Sequence, residues 1–242
     1  MRFFLTVLLS LFVFTGCFDD NRSFTWKQVL FSRIDTISGK NYTEVIYPLF
    51  TDGPNYDSVN ARIDFLIRKH MCGEDPRFAN MKMQEAIDSL LAWKNRDSVL
   101  RQVPYDTRFH CYIKECGEVI AFRCTIYKKT GDDNGTINTY VYNINREGIR
   151  FLTQDEIISD TLSLKKLNQT YFSRYLIDKV IPEKVLFVPV DELPLPQNIS
   201  VDSTGVYMQY NPDEVAPPNV GAIEYYIPYE EAEPALKRIV RK

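Results

Sequence analysis

What most constrains this chain is a pair of alternating segments joined by two residues. Phe109 to Ile113 and Ile120 to Ile126 each place apolar side chains at every second position, with Cys116-Gly117-Glu118-Val119 between them. Period two is the strand period, and a two-residue loop with Gly first suits a type II′ hairpin turn. The register follows. Cys111 lies opposite Cys124, Phe109 opposite Ile126 and Ile113 opposite Phe122, all on one apolar face. Counted from the turn these are non-hydrogen-bonded pairs, whose shorter separation is within reach of disulfide geometry. His110 points to the opposite face.

The N-terminus addresses a different question. Arg2 precedes an apolar run from Phe3 to Phe14, and Phe14-Thr15-Gly16-Cys17 places small residues before a cysteine. The run is short for a spanning helix and reads as a bacterial lipoprotein signal, residues 1–16, with Cys17 acylated. The alternative is an ordinary secretory signal with Cys17 kept as a thiol. Acyl chains at about 0.8 kcal/mol per buried methylene anchor a protein without a spanning helix. Residues 17–23 form a polar tether, in which Asp19 and Asp20 resemble the surface-export signal of lipoproteins in Bacteroides-like bacteria. The expected location is the outer membrane, lipid-anchored, on its periplasmic face or at the cell surface.

Export bears on the remaining cysteines, Cys72, Cys111, Cys116 and Cys124, because disulfides persist outside the cytoplasm. The hairpin register predicts Cys111–Cys124 and, by elimination alone, Cys72–Cys116. Four buried free thiols are the alternative. A zinc site has no Cys-x-x-Cys pair to rest on.

Processing would leave 226 of the 242 residues, with 28 basic against 32 acidic side chains, a net charge of −4. That balance and the lack of a basic block give no case for nucleic acid. Strands are expected over Phe24 to Arg33, Thr43 to Leu49, Ile137 to Asn145, Val206 to Tyr210 and Ala222 to Ile227. A helix capped at Asp57 or Ser58 carries Val59, Ile63, Leu66 and Ile67 on one stripe and stops at Gly73. A second runs from about Asn80 to Asn95 with Met83, Ile87, Leu90 and Leu91 inward, and a third from Leu162 to Asp178 with Leu164, Leu167, Tyr171, Tyr175 and Leu176 inward. Pro228 opens a short C-terminal helix. The pattern is α+β: antiparallel sheet packed with three to four helices, in parts 24–180 and 181–242.

Chemistry is harder to find. The two histidines, His70 and His110, sit in no metal-ligand spacing, and no nucleophile elbow, phosphate loop or dinucleotide fingerprint appears. Gly131 to Gly135 lacks the spacing of a calcium loop and reads as a surface turn. Tyr140, Tyr142, Tyr207, Tyr225 and Tyr226 could stack on sugars, but such residues more often fill strands. No catalytic residue, metal or cofactor is expected.

The segment from Gly205 to Gly221, followed by Ile227-Pro228-Tyr229, carries a signature. Tyr210, Asn211, Pro212, Glu214, Ala216, Pro217, Gly221, Ile227, Pro228 and Tyr229 match the pattern of the extracytoplasmic domain of RsiV-type anti-sigma factors, which also accompanies some peptidoglycan deacetylases. Asp213, Val215 and Pro218 depart from it, and Gly131 to Thr136 lacks the histidine common in the family's central turn. The resemblance implies an RsiV-like ectodomain, a sensing or binding module for a lysozyme-type muramidase or for cell-wall glycan. It points to Tyr210, Asn211, Asp213, Glu214, Pro217 and Gly221 as the contact surface. An envelope glycan hydrolase or deacetylase, with a metal held by His110 and nearby acids, is the competing class, and a purely structural lipoprotein the third.

Overall fold

The computed structural model describes residues 25–34, 41–53, 55–73, 75–78, 81–96, 103–131, 134–146 and 150–240. The signal, the tether and Cys17 lie outside them. Among the described residues nine strands form two sheets. The first contains β1 (Thr25–Ile34), β2 (Asn41–Asp52), β3 (Tyr105–Cys116), β4 (Val119–Thr130), β5 (Thr136–Asn145) and β6 (Phe151–Leu152), in that spatial order. The second contains β7 (Asn198–Val201), β8 (Gly205–Tyr210) and β9 (Ile223–Pro228). The α+β expectation stands.

The central hairpin has the expected register, with Cys111 opposite Cys124, Phe109 opposite Ile126 and Ile113 opposite Phe122. Gly117 takes a φ of 56°, which its missing Cβ allows, while Glu118 stays at negative φ, as a type II′ turn requires. One pairing departs from the antiparallel expectation: β2 and β3 run parallel. Parallel neighbours need a crossover to carry the chain back. Here it is supplied by α1 (Tyr56–Cys72) and α2 (Met83–Arg96).

Both crossover helices bury the stripes expected of them. Val59, Ile63, Leu66 and Ile67 of α1 and Met83, Ile87, Leu90 and Leu91 of α2 close over Val45, Phe109, Cys111, Phe122, Cys124 and Ile126 on one sheet face. Asp57 and Ser58 do not cap α1. The helix starts earlier, after Asn55 in the left-handed region, and both lie in its first turn.

On the opposite face the second sheet, α3 (Gln154–Ile157), α4 (Thr161–Asp178) and α5 (Tyr229–Ala232) cover one end of the first sheet. Asp160 caps α4, its carboxylate accepting from the Ser163 N–H at 3.0 Å. The buried stripe of α4 runs through Leu164, Asn168, Phe172 and Leu176, rotated from the expected one, because Asn168 works inside the core. Its amide donates to the Tyr210 hydroxyl at 2.8 Å and accepts from that of Tyr225 at 2.7 Å.

Arg123 of β4 is the clamp between the two sheets. It is 1 % exposed, and donates to Asp202 at 2.9 Å, Ser200 at 3.0 Å and the Tyr226 hydroxyl at 2.6 Å, with its Cζ 3.7 Å from the centre of the Tyr207 ring. A guanidinium is stable there because the carboxylate and the other acceptors replace its water.

The cysteines require a correction. Cys111 and Cys124 face each other as aligned, but as thiols with sulfurs 3.0 Å apart, beyond the roughly 2.05 Å of a bond. Cys72–Cys116 is excluded by topology. Cys72 shares a pocket with Tyr105 at the start of β3, whereas Cys116 ends that strand, eleven residues or roughly 36 Å away. Cys116 also faces the second sheet's core, its thiol directed at the Val240 carbonyl at 3.2 Å.

Candidate functional site

The second sheet covers only part of the outer face. What it leaves bare is a groove of about 350 Å³ floored by Arg108, His110, Thr125, Tyr127 and Ile137. Strand alternation puts these side chains opposite the helix-covered core, as expected for His110. The β2–β3 register brings Tyr42 and Glu44 to the same face. Glu44 accepts from the Tyr42 hydroxyl at 2.5 Å and lies 2.9 Å from His110 Nε2. Those two hydrogen bonds hold its carboxyl below the usual carboxylate range. Arg108 pairs with Asp106 through two bonds of 3.0 and 2.8 Å and lies over the rings of Tyr42 and Tyr127 at 5.3 and 5.9 Å. Ile137 is 51 % exposed.

The Asn211 to Ala216 turn borders this groove, because Asn211 grips its edge. Asn211 Oδ1 accepts from the Thr139 N–H at 2.8 Å, and Nδ2 donates to the Thr139 carbonyl at 2.9 Å. One amide side chain thus takes the place of a neighbouring strand where β6, paired only at Asn143 and Ile144, no longer covers β5. Asn198 does the same for the Val141 N–H at 3.0 Å. The Thr139 hydroxyl in turn lies 3.0 Å from that of Thr125 on the groove floor.

The six residues picked out by the resemblance therefore divide. Tyr210 is 1 % exposed, its hydroxyl donating to the Pro194 carbonyl at 2.6 Å and accepting from Asn168, so it is a core residue. Asn211 is an edge lock. Asp213, at φ 69°, and Glu214 are exposed at the tip of the turn. Pro217 is half-buried and leads into a turn closed by Gly221, whose φ of 82° calls for glycine although a Cβ there would meet nothing within 4 Å. The tyrosines considered for sugar stacking are engaged internally: Tyr140 stacks on His70 at 4.0 Å, Tyr142 bonds His70 at 2.6 Å, and Tyr207, Tyr225 and Tyr226 bond Glu224, Asn168 and Asp202.

His110 is the histidine exposed in the groove. Its hydrogen-bond partner is Glu44, and no hydroxyl or thiol nucleophile is bonded to it among the described residues. Nor do the described residues bring three or more His, Cys, Asp or Glu side chains together around a metal position. No described helix is long and apolar enough to cross a membrane.

No protein-family profile and no curated protein matches the sequence. Solved structures do match. A DUF3298 family protein from Pseudomonas aeruginosa superposes with a TM-score of 0.65 at 13 % identity, over 92 % of this chain and 98 % of that one. The fold is that of DUF3298 proteins. A second member, from Bacteroides fragilis, superposes with a TM-score of 0.60 at 16 % identity, over 89 % of this chain and 93 % of that one. At such identities the DUF3298 likeness establishes architecture and leaves the chemistry to the residues of this chain.

Proposed function

We propose that this chain is a non-catalytic binding module of the bacterial envelope, RsiV-like, tethered by lipid on Cys17, whose uncovered groove docks a basic protein of the lysozyme-type muramidase class. The observation that carries this reading is the charge and shape of the groove. Half-buried aromatic rings and the exposed Ile137 lie beside four carboxylates, Glu44 and Asp106 on the strands and Asp213 and Glu214 on the bordering turn, against two cations, Arg108 and Lys129, the latter opposite Asp106 on the same face. Aromatic anchors ringed by acidic groups favour encounter with a basic partner and supply buried contact area once docked. The Tyr–Glu–His chain on the floor orients these groups.

Titration calorimetry against hen lysozyme and against a soluble muropeptide, each at low and physiological salt, tests the proposal. Saturable lysozyme binding, weakened by salt as exposed charge pairs are screened, is the expected result. Silence with lysozyme at both salts overturns it, and heat with the muropeptide alone replaces the protein ligand by glycan.

A further inference from the structure

A second cavity lies on the other side of the six-stranded sheet, at the end where Tyr105 begins β3 and Thr130 ends β4. It measures about 340 Å³, near the lower end of the range that holds small molecules, about 300–1,000 Å³. Its walls are apolar: Met71 from α1, and Phe78, Leu90 and Trp93 from the segment that carries α2. Trp93 is 48 % exposed at the rim, an unusual place to leave an indole.

The sheet side of the cavity is polar. Lys128 and Thr130 line it with Tyr105, whose hydroxyl faces those of Thr43 and Thr107, both fully buried. At its mouth stand two cations of different standing. Arg77 is neutralised by Asp75, which accepts from its Nε at 2.9 and 3.0 Å. Lys128 donates to the His70 carbonyl at 3.2 Å, and no carboxylate of the described residues lies within ion-pair distance of it. Arg77, Asp75 and Lys128 together leave one positive charge above an apolar chamber.

We propose that this cavity binds a small apolar monocarboxylate, about the size of a ten-carbon fatty acid, with its hydrocarbon against Met71, Phe78, Leu90 and Trp93 and its carboxylate on Lys128. One uncompensated ammonium matches one negative charge, and desolvated hydrocarbon matches the walls. The cavity lies on the helix-covered face and is separate from the groove proposed to dock protein. Failure of either assignment therefore leaves the other standing.

The test is a fluorescence titration of the purified protein, in a Trp26→Phe background that leaves Trp93 as the reporter, with sodium decanoate and with 1-decanol. Mass-spectrometric mapping of iodoacetamide labelling at Cys72, which lines the cavity, provides a second readout. Decanoate is expected to change Trp93 emission saturably and to protect Cys72. Lys128→Met, and replacement of decanoate by decanol, should each weaken binding at least about tenfold, the loss of one charge-assisted contact, while Lys128→Arg retains it. An unsaturable response with Cys72 unprotected overturns the proposal, as does affinity that Lys128→Met leaves unchanged.

Discussion

Replacing Asn211 by alanine separates the two roles open to the Asn-Pro turn, structural lock and ligand contact. The amide makes two bonds to the backbone of Thr139, at 2.8 and 2.9 Å, on a strand edge that β6 does not reach, since it pairs with β5 at Asn143 and Ile144. Alanine would leave that N–H and that carbonyl without protein partners. A fully buried orphan costs about 1–3 kcal/mol, and this edge is only part-buried, so the two together should cost about 2–3 kcal/mol. For a domain of this size about 1 kcal/mol moves the melting temperature by about 2–4 °C. The expected fall is therefore about 4–12 °C. Asn211→Asp should lose more, since its second oxygen would oppose the Thr139 carbonyl. Calorimetric melting, with hydrogen exchange at the Thr139 amide, reads both effects. A melting temperature within about 1 °C of the parent, with Thr139 exchange unchanged, would refute the lock and return Asn211 to the contact surface.

Three further outcomes follow from the same geometry. Arg123→Ala leaves Asp202 buried and unpaired between the sheets and should cost about 3–5 kcal/mol by urea denaturation, whereas a loss under about 1 kcal/mol would mean that water already reaches the pair. Mild oxidation followed by non-reducing peptide mapping should link Cys111 to Cys124, whose sulfurs are 3.0 Å apart, and never Cys72 to Cys116; one Cys72–Cys116 peptide from folded protein contradicts the topology. Burial beside Lys128 lowers the His70 pKa to about 4, so between pH 4 and about 6.5 the unfolded chain holds a proton that the folded chain lacks. Stability should thus fall as pH drops from 6.5 to 4, with a further loss below about 4.5 as Glu44, held low by its hydrogen bonds, takes up its proton. His70→Gln should flatten the first of these steps in melting curves taken across that range.

The central hairpin was legible because two local signals agreed, the period-two alternation and the Gly117-Glu118 turn. The stripes of α1 and α2 were legible for the same reason, since each helix buries one face against one partner. Parallel pairing of β2 with β3 was hidden, because a strand's sequence does not record its neighbour's direction. Asn211 reads as the start of an Asn-Pro turn and Asn198 carries no signal of its own, and only the folded chain brings them to the edge of β5. Arg123 alternates like an outward-facing polar residue, and its burial depends on Asp202, seventy-nine positions away. One signal for that burial was present: Val119-Ile120-Ala121-Phe122 is apolar at odd and even positions alike, the mark of a strand covered on both faces. The motif that carried the RsiV resemblance proved half structural, which is why its Tyr210 lies in the core while Asp213 and Glu214 face solvent.

The claim that the bare half of the six-stranded sheet is the binding surface meets its most direct test in paired calorimetric titrations with hen lysozyme. Parent protein is compared with a Tyr127→Ser, Glu214→Lys double variant, which removes one aromatic wall of the groove and reverses one exposed charge beside it. Affinity at least about tenfold weaker with the fold intact by circular dichroism is the result the account predicts, the sum of one aromatic and one charge contact. Equal affinity in the two proteins would contradict it and place the contact elsewhere on the molecule.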